Sequence, residues 1–194
     1  MTDTPTYLGL LRGIANAESD AHCYLSAWRD TTTDAEVRSV LATVASREGE
    51  HGMSFAKRVM ELGFEFTRKE DASLAEKVAV ARSDRSDVEK AEYFGLDRID
   101  DVLRFFDDVF KDHTIDIRTG ELLGRYIAEE HDTARLVGRC YGVLCERAGR
   151  AEATEGGIRA LEVKVDALCR SVEELRQIVC AQSMPVGGSA AGDD

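Results

Sequence analysis

Proline is almost absent from this chain. The two that occur, Pro5 and Pro185, stand one near each end. Nothing between them carries the ring that breaks an α-helix, so the interior can be helical throughout. Aromatic and β-branched residues do not alternate with polar ones, so strands are not indicated. Long apolar runs are missing too: no stretch approaches the roughly 18 residues of a membrane span. Met1 to Tyr7 lacks a basic region followed by an apolar run, so no signal peptide is expected. The five cysteines, Cys23, Cys140, Cys145, Cys169 and Cys180, are odd in number and none lie in CxxC pairs. This argues against a disulfide framework and a zinc ribbon. A reducing cytoplasm is the expected location. Basic residues are in deficit, 25 Lys and Arg against 37 Asp and Glu, for a formal net charge of −12. Nucleic acid and membrane are therefore not expected as partners. Acidity attracts cations, metal ions among them, although most acidic faces are merely solvated.

What is present is helical patterning. The chain's 194 residues, 43% of them hydrophobic, suffice for one core and an appendage. The signals predict an all-α protein. A first helix runs from about Pro5 to Trp28. A second, capped by Thr33 or Asp34, runs to Leu62 and is stopped by Gly63. Ser73 to Arg82 suits a short crossover helix. Ser86 or Asp87 caps a third long helix running to about Lys111. A fourth runs from about Ile117 to Ala148, with Gly149 as its stop. Gly156-Gly157 then separates a fifth helical stretch, Ile158 to about Gln182. The expected division is a bundle over 1–150, a C-terminal helix over 151–182 and a disordered tail over 183–194, rich in Gly, Ala and Asp.

The fifth stretch carries coiled-coil heptads. Ile158, Leu161, Val165, Leu168, Val172, Leu175 and Val179 alternate by three and four residues, with β-branched residues at a and leucines at d. This predicts a homodimer or higher homo-oligomer. The alternative is an amphipathic helix packed on its own bundle. Cys169, on the flank of the seam, is placed where oxidation could cross-link a pair.

The two halves of the bundle resemble each other. Asp30, Thr32, Asp34 and Leu41 match Asp112, Thr114, Asp116 and Leu123 at a constant offset of 82 residues, and Trp28 matches Phe110. Under that offset Glu18 falls on Asp100, Glu48 on Glu130 and His51 on Thr133. The apolar seams carry the same message. Leu11, Ile14, Ala21, Leu25 and Trp28 flank Glu18. Val37, Leu41, Val44 and Phe55 flank Glu48 and His51. Leu123, Tyr126, Val137, Cys140 and Leu144 flank Glu130 and Thr133. The third seam, Tyr93, Leu96, Asp100, Leu103, Asp107 and Phe110, is rougher.

A carboxylate in an apolar seam neutralises, finds an ion pair, or binds a metal. One per helix at matching heights would repel strongly, and divalent cations relieve that repulsion. Glu48-x-x-His51 adds a carboxylate and an imidazole on one helix face, about one turn apart. A satisfied core histidine and a buried network with Arg104 and His22 are the plainer readings of the same residues. Tyr126 and Tyr24 can each bond a ligand or simply pack with the hydroxyl satisfied.

This pattern resembles the ferritin-like, rubrerythrin-type di-iron family over about residues 7–148. That family has Glu on helix one, Glu-x-x-His on helix two, an acidic residue on helix three and Glu-x-x-His on helix four. The resemblance implies a ferritin-like four-helix bundle of two helix-pair repeats joined by a long crossover. It implies metal ligands Glu18, Glu48, His51, Asp100 (or Asp97) and Glu130; outside the family pattern, helix one also offers His22, one turn after Glu18, as an extra ligand. It implies iron as cofactor, two per site if intact, and ferroxidase or peroxidase chemistry with O2 or peroxide. Two positions depart from the family. Thr133 stands where the second motif has His, and His131 lies on another side of the helix. Arg104, one turn after Asp100, could neutralise it in place of a metal. The pattern thus permits two irons held asymmetrically, a single iron or other divalent metal, or none. The last case would leave a metal-free helical scaffold acting through its coiled coil and tail.

Overall fold

The computed structural model describes residues 4–96 and 111–182. Among the described residues the protein is all-α, with no strand and no cis peptide bond. The helices are α1 (Leu8–Thr31), α2 (Ala35–Glu61), α3 (Leu74–Arg82), α4 (Asp87–Tyr93) and α5 (Ile117–Gln182). None is long and apolar enough to cross a membrane. The chain divides into two compact units, Met1–Cys145 and Glu146–Asp194.

Local chemistry explains where the helices start. Asp34 caps α2, its Oδ1 accepting from the backbone N–H of Glu36 at 2.8 Å and of Val37 at 3.1 Å. Asp116 does the same for α5, accepting from Arg118 N–H at 3.0 Å and Thr119 N–H at 3.1 Å. These two residues are related by the 82-residue offset, and each satisfies donors that the first helical turn leaves without partners. Ser86 and Glu89 form a reciprocal capping box at the start of α4.

Two expectations about helix ends are corrected. The third long helix does not run unbroken from Asp87: α4 stops at Tyr93, and Gly95 takes a φ of +71°. That left-handed conformation suits glycine and ends a helix. The rest of the expected helix up to residue 110, with Asp97, Asp100 and Arg104, lies outside the described residues. At the other end, Gly149 and Gly156-Gly157 interrupt nothing, for α5 continues through all three to Gln182. Glycine lowers helix stability by about 1 kcal/mol without forbidding the conformation. Ion pairs at i,i+4 spacing, Arg150 to Glu146 and Arg159 to Glu155, bridge the glycines.

In the first unit the expected seams are buried on α2 throughout and on α1 and α5 in most positions, with Ala21, Glu130, Cys140 and Leu144 partly buried. On α2, Val37, Leu41, Val44, Glu48, His51 and Phe55 are all buried. On α1 the stripe is Leu11, Ile14, Glu18, Leu25 and Trp28. Residues 117–145 of α5 bury Leu123, Tyr126, Thr133 and Val137.

These stripes form two separate apolar clusters. One gathers Leu25, Trp28, Val37, Leu41, Val44 and Val137. The other gathers Leu11, Ile14, Phe55, Val59, Leu123 and Tyr126. On each helix the polar positions fall between the two clusters. Each fully buried leucine or phenylalanine contributes about 1.5–3 kcal/mol, so the clusters hold the helices in register on both sides of the polar layer.

Glycine brings α1 and α2 together at that layer. A Cβ added to Gly52 would lie 2.6 Å from Ser19 Oγ, 3.1 Å from Ser19 N and 3.3 Å from the Ala15 carbonyl. Gly52 follows His51 and Ser19 follows Glu18, so the close approach sits beside the residues that carry the chemistry.

The second unit contains the rest of α5. Its residues 146–170 are exposed, among them Ile158 (54%), Leu161 (63%), Val165 (51%) and Leu168 (65%). The first half of the expected seam is therefore a bare apolar stripe within this unit.

Candidate metal centre

Glu18 from α1, Glu48 and His51 from α2, and Glu130 from α5 converge between the two apolar clusters. Each offers a ligand atom, and these atoms all lie within 4.8 Å of one another. Glu18, Glu48 and His51 are buried, and the Glu130 side chain is 15% exposed. Four of the six residues expected from the sequence are thus brought together.

Asp100 lies outside the described residues. His22 is not brought in. It is exposed on α1 with its Nδ1 2.6 Å from the Ala45 carbonyl, over the α2 backbone at Gly49. On α1 it follows Ala21, the seam position, by one residue, about 100° around the helix, and the Ala45 carbonyl of α2 takes up its ring nitrogen there. His131 is likewise exposed.

The inner polar atoms face one another without completing hydrogen bonds. Glu48 Oε2, His51 Nδ1 and Glu130 Oε1 are buried and have no hydrogen-bond partner. His51 Nδ1 stands 3.6 Å from Glu48 Oε2 and 3.3 Å from Glu130 Oε1. These are ionic contacts, not aligned hydrogen bonds. His51 and Glu18 are supported from their far sides. His51 Nε2 is 2.6 Å from Glu129 Oε2, a partner the sequence reading missed. The Tyr126 hydroxyl donates to Glu18 Oε1 at 2.6 Å, and its ring meets the His51 ring edge-on at 4.9 Å.

Protons hold the cluster together in this state. Burial, then the adjoining Glu48 carboxylate, push Glu18 up to about 10, so Glu18 keeps its proton. Burial also pushes Glu48 up, but the adjoining His51 and Glu18 and the charge of Arg47 outweigh it, leaving Glu48 below its ordinary range. Burial favours a neutral His51, yet Glu130, Glu48 and Glu129 together raise it to about 10. Glu130 is raised, chiefly by burial. Burial and the neighbouring carboxylates raise Tyr126 far beyond the ordinary phenol range.

These donors fit a divalent first-row ion. Three carboxylates and an imidazole are the hard and borderline ligands that iron, manganese and zinc accept. The orphaned atoms all point inward, and the Glu129–His51 pair is the outer support that metal-bound histidines usually have. Where the second motif would carry histidine, Thr133 is buried and its hydroxyl accepts from Arg47 Nη1 at 3.3 Å. Arg47 is itself anchored by Asp132 Oδ2, 2.7 Å from Nη2.

A cavity of about 250 Å³ adjoins the layer, its lining including Glu18, Glu48, Glu130 and Thr133 together with Leu25, Leu41, Val44 and Val137. No protein-family model matches the chain, and no curated protein or solved structure is similar to it.

Proposed function

We propose that the first unit is a divergent ferritin-like four-helix bundle of rubrerythrin type that binds iron and reacts with O2 or peroxide as a ferroxidase or peroxidase. The observation that carries this reading is the group of inward-facing, unsatisfied atoms on Glu48, His51 and Glu130, with Glu18 beside them. A buried polar atom without a partner costs about 1–3 kcal/mol. Three such atoms aimed at one point are costly unless a cation completes them.

Glu18, Glu48, His51 (through Nδ1) and Glu130 would hold the ion. Iron bound there would supply the electron transfer to O2 or peroxide. The chain's own residues do the rest. Glu129 accepts the Nε2 proton of His51 and so leaves Nδ1 free to ligate. Glu18 and His51 release the protons that hold the cluster when a dication replaces them. Tyr126 keeps Glu18 oriented and holds a proton beside it. The apolar residues of the two clusters limit water on either side.

The test is metal content of protein from iron-supplemented cells, by mass spectrometry. Bound iron that is lost in His51→Ala and Glu48→Ala, with the helical circular dichroism signal retained, is the expected result. Full iron content in either variant contradicts the assignment. Aerobic addition of Fe(II) should produce near-ultraviolet absorbance that a chelator suppresses.

A second reading has its own support: the raised Glu18 and His51 neutralise much of the cluster's charge with protons alone. On that reading the bundle is a metal-free helical scaffold acting through its coiled coil and tail. It predicts colourless protein with no iron, zinc or manganese even after anaerobic reconstitution. On either reading, the heptad stripe of the second unit is proposed to pair with a second copy of the chain.

A further inference from the structure

We infer that a pocket between the α1–α2 turn and the α3–α4 connection binds a phosphate-class oxyanion, held by the Lys90 ammonium and the Arg85 guanidinium. None of its residues belongs to the metal layer, so the inference stands apart from the metal reading. Lys90, on α4, is 3% exposed, and lysine is almost never so buried unless paired. Its ammonium has three hydrogens to donate and nothing to accept with. Among the described residues it makes no hydrogen bond and no ion pair. A charge withdrawn from water without a partner is costly, so an acceptor is called for. The carboxylates of this corner do not supply one. Asp87 is engaged through Oδ1 by Trp28 Nε1 at 2.6 Å and through Oδ2 by Thr32 Oγ1 at 2.7 Å. Glu89 Oε2 accepts from the Ser86 N–H at 2.8 Å and its hydroxyl at 2.7 Å. Asp84 is exposed and forms no ion pair with Lys90.

Lys90 lines a pocket of about 310 Å³ whose other walls include Thr31, Thr33, Ser83 and Arg85. The hydroxyls of Thr31 and Ser83 spend their hydrogens on the Ala81 carbonyl at 2.9 Å and the Val80 carbonyl at 2.7 Å. Lys90, Arg85 and Thr33 are left as donors, one from α4, one from the α3–α4 connection and one from the α1–α2 turn. Arg85 is exposed, its guanidinium over the Tyr93 ring at 5.6 Å. Donors from three segments suit an anion with oxygens on several sides, and ammonium and guanidinium both recognise phosphate. The walls are built in advance: the bonds of Trp28 and Thr32 to Asp87 and of Thr31 to Ala81 tie the two connections together. The chain's net charge of −12 opposes an anion at long range. That field is screened beyond about 8 Å at physiological salt, whereas the unused donors act at contact.

The experiment compares thermal unfolding of the full chain in inorganic phosphate and in chloride at equal ionic strength, with calorimetric titration of inorganic phosphate and of methyl phosphate. The wild-type Tm should rise with phosphate and not with chloride. Lys90→Met, which keeps the apolar stem and removes the charge, should abolish that rise. Arg85→Gln should weaken phosphate binding about tenfold. Tighter binding of methyl phosphate than of inorganic phosphate would assign the site to a phosphomonoester, and the reverse order to the free anion. A wild-type Tm that is the same in the two salts would overturn the inference, as would a Lys90→Met protein that binds phosphate like the wild type. If Lys90→Met does not fold, Arg85→Gln decides, since it alters an exposed side chain, and unchanged affinity there would also overturn the inference.

Discussion

Replacing Gly52 by alanine tests whether the α1–α2 crossing sets the metal layer. The added Cβ would lie 2.6 Å from Ser19 Oγ, well inside van der Waals contact, and 3.1 Å from Ser19 N. Ser19 cannot simply swing away, because its hydroxyl donates to the Ala15 carbonyl at 2.7 Å. The backbone atoms of Ser19 cannot move without moving α1. Overpacking of this kind costs about 1–3 kcal/mol. Alanine's higher helix propensity returns up to about 1 kcal/mol. The net expectation is a loss of up to about 2 kcal/mol. Gly142→Ala is the control, since nothing lies within 4 Å of its added Cβ. That variant should be neutral or gain up to about 1 kcal/mol. Urea unfolding followed by circular dichroism compares the two. Spreading the helices also separates Glu18 from Glu48 and His51, so metal affinity should fall in Gly52→Ala and stay unchanged in Gly142→Ala. A Gly52→Ala protein as stable as Gly142→Ala, with wild-type metal affinity, would refute the close-approach argument.

Three further predictions follow from other parts of the molecule. Glu129→Gln should weaken metal binding by about 10–100-fold without changing the ion count, because it removes the carboxylate that orients His51; competition with a chelator of known affinity measures it. Asp116 should govern acid stability. Burial opposes its ionisation, but hydrogen bonds from Thr119, Tyr7 and Arg58 outweigh burial and hold it well below its ordinary value of 3.8. Its contribution is therefore present above about pH 4 and lost as pH falls toward the folded-state value. Asp116→Asn should be less stable than wild type at pH 7, with a shallower stability loss below pH 4 in urea titrations at stepped pH. Finally, Leu161→Glu with Leu168→Glu should convert a self-associated protein to monomer by light scattering while leaving its metal content intact. A wild-type monomer at high micromolar concentration would remove the pairing proposal.

Much of the architecture was legible because helices report themselves through spacing. The stripe from Val37 to Phe55 is buried residue for residue, since a 3.6-residue period and a strong Asp34 cap leave little freedom. The same periodicity placed Glu18, Glu48, His51 and Glu130 at one level on three helices. Glycine was the poorer guide. Gly95 does end a helix, at a φ of +71°, whereas Gly149, Gly156 and Gly157 do not. The residue type is the same in each case. What differs is whether the surrounding chain needs a reversal.

Periodicity and capping chemistry are properties of neighbours in the chain, and they determined from the sequence alone that the protein is helical and which carboxylates enter the apolar seams. Partner choice across helices is decided by rotation and separation, which only the tertiary structure supplies. One residue's rotation sends His22 to the Ala45 carbonyl and brings Glu129 to His51. Arg47 reads in sequence as one more surface charge. Its fork on Asp132 and Thr133 exists because α2 and α5 cross where their two polar layers meet.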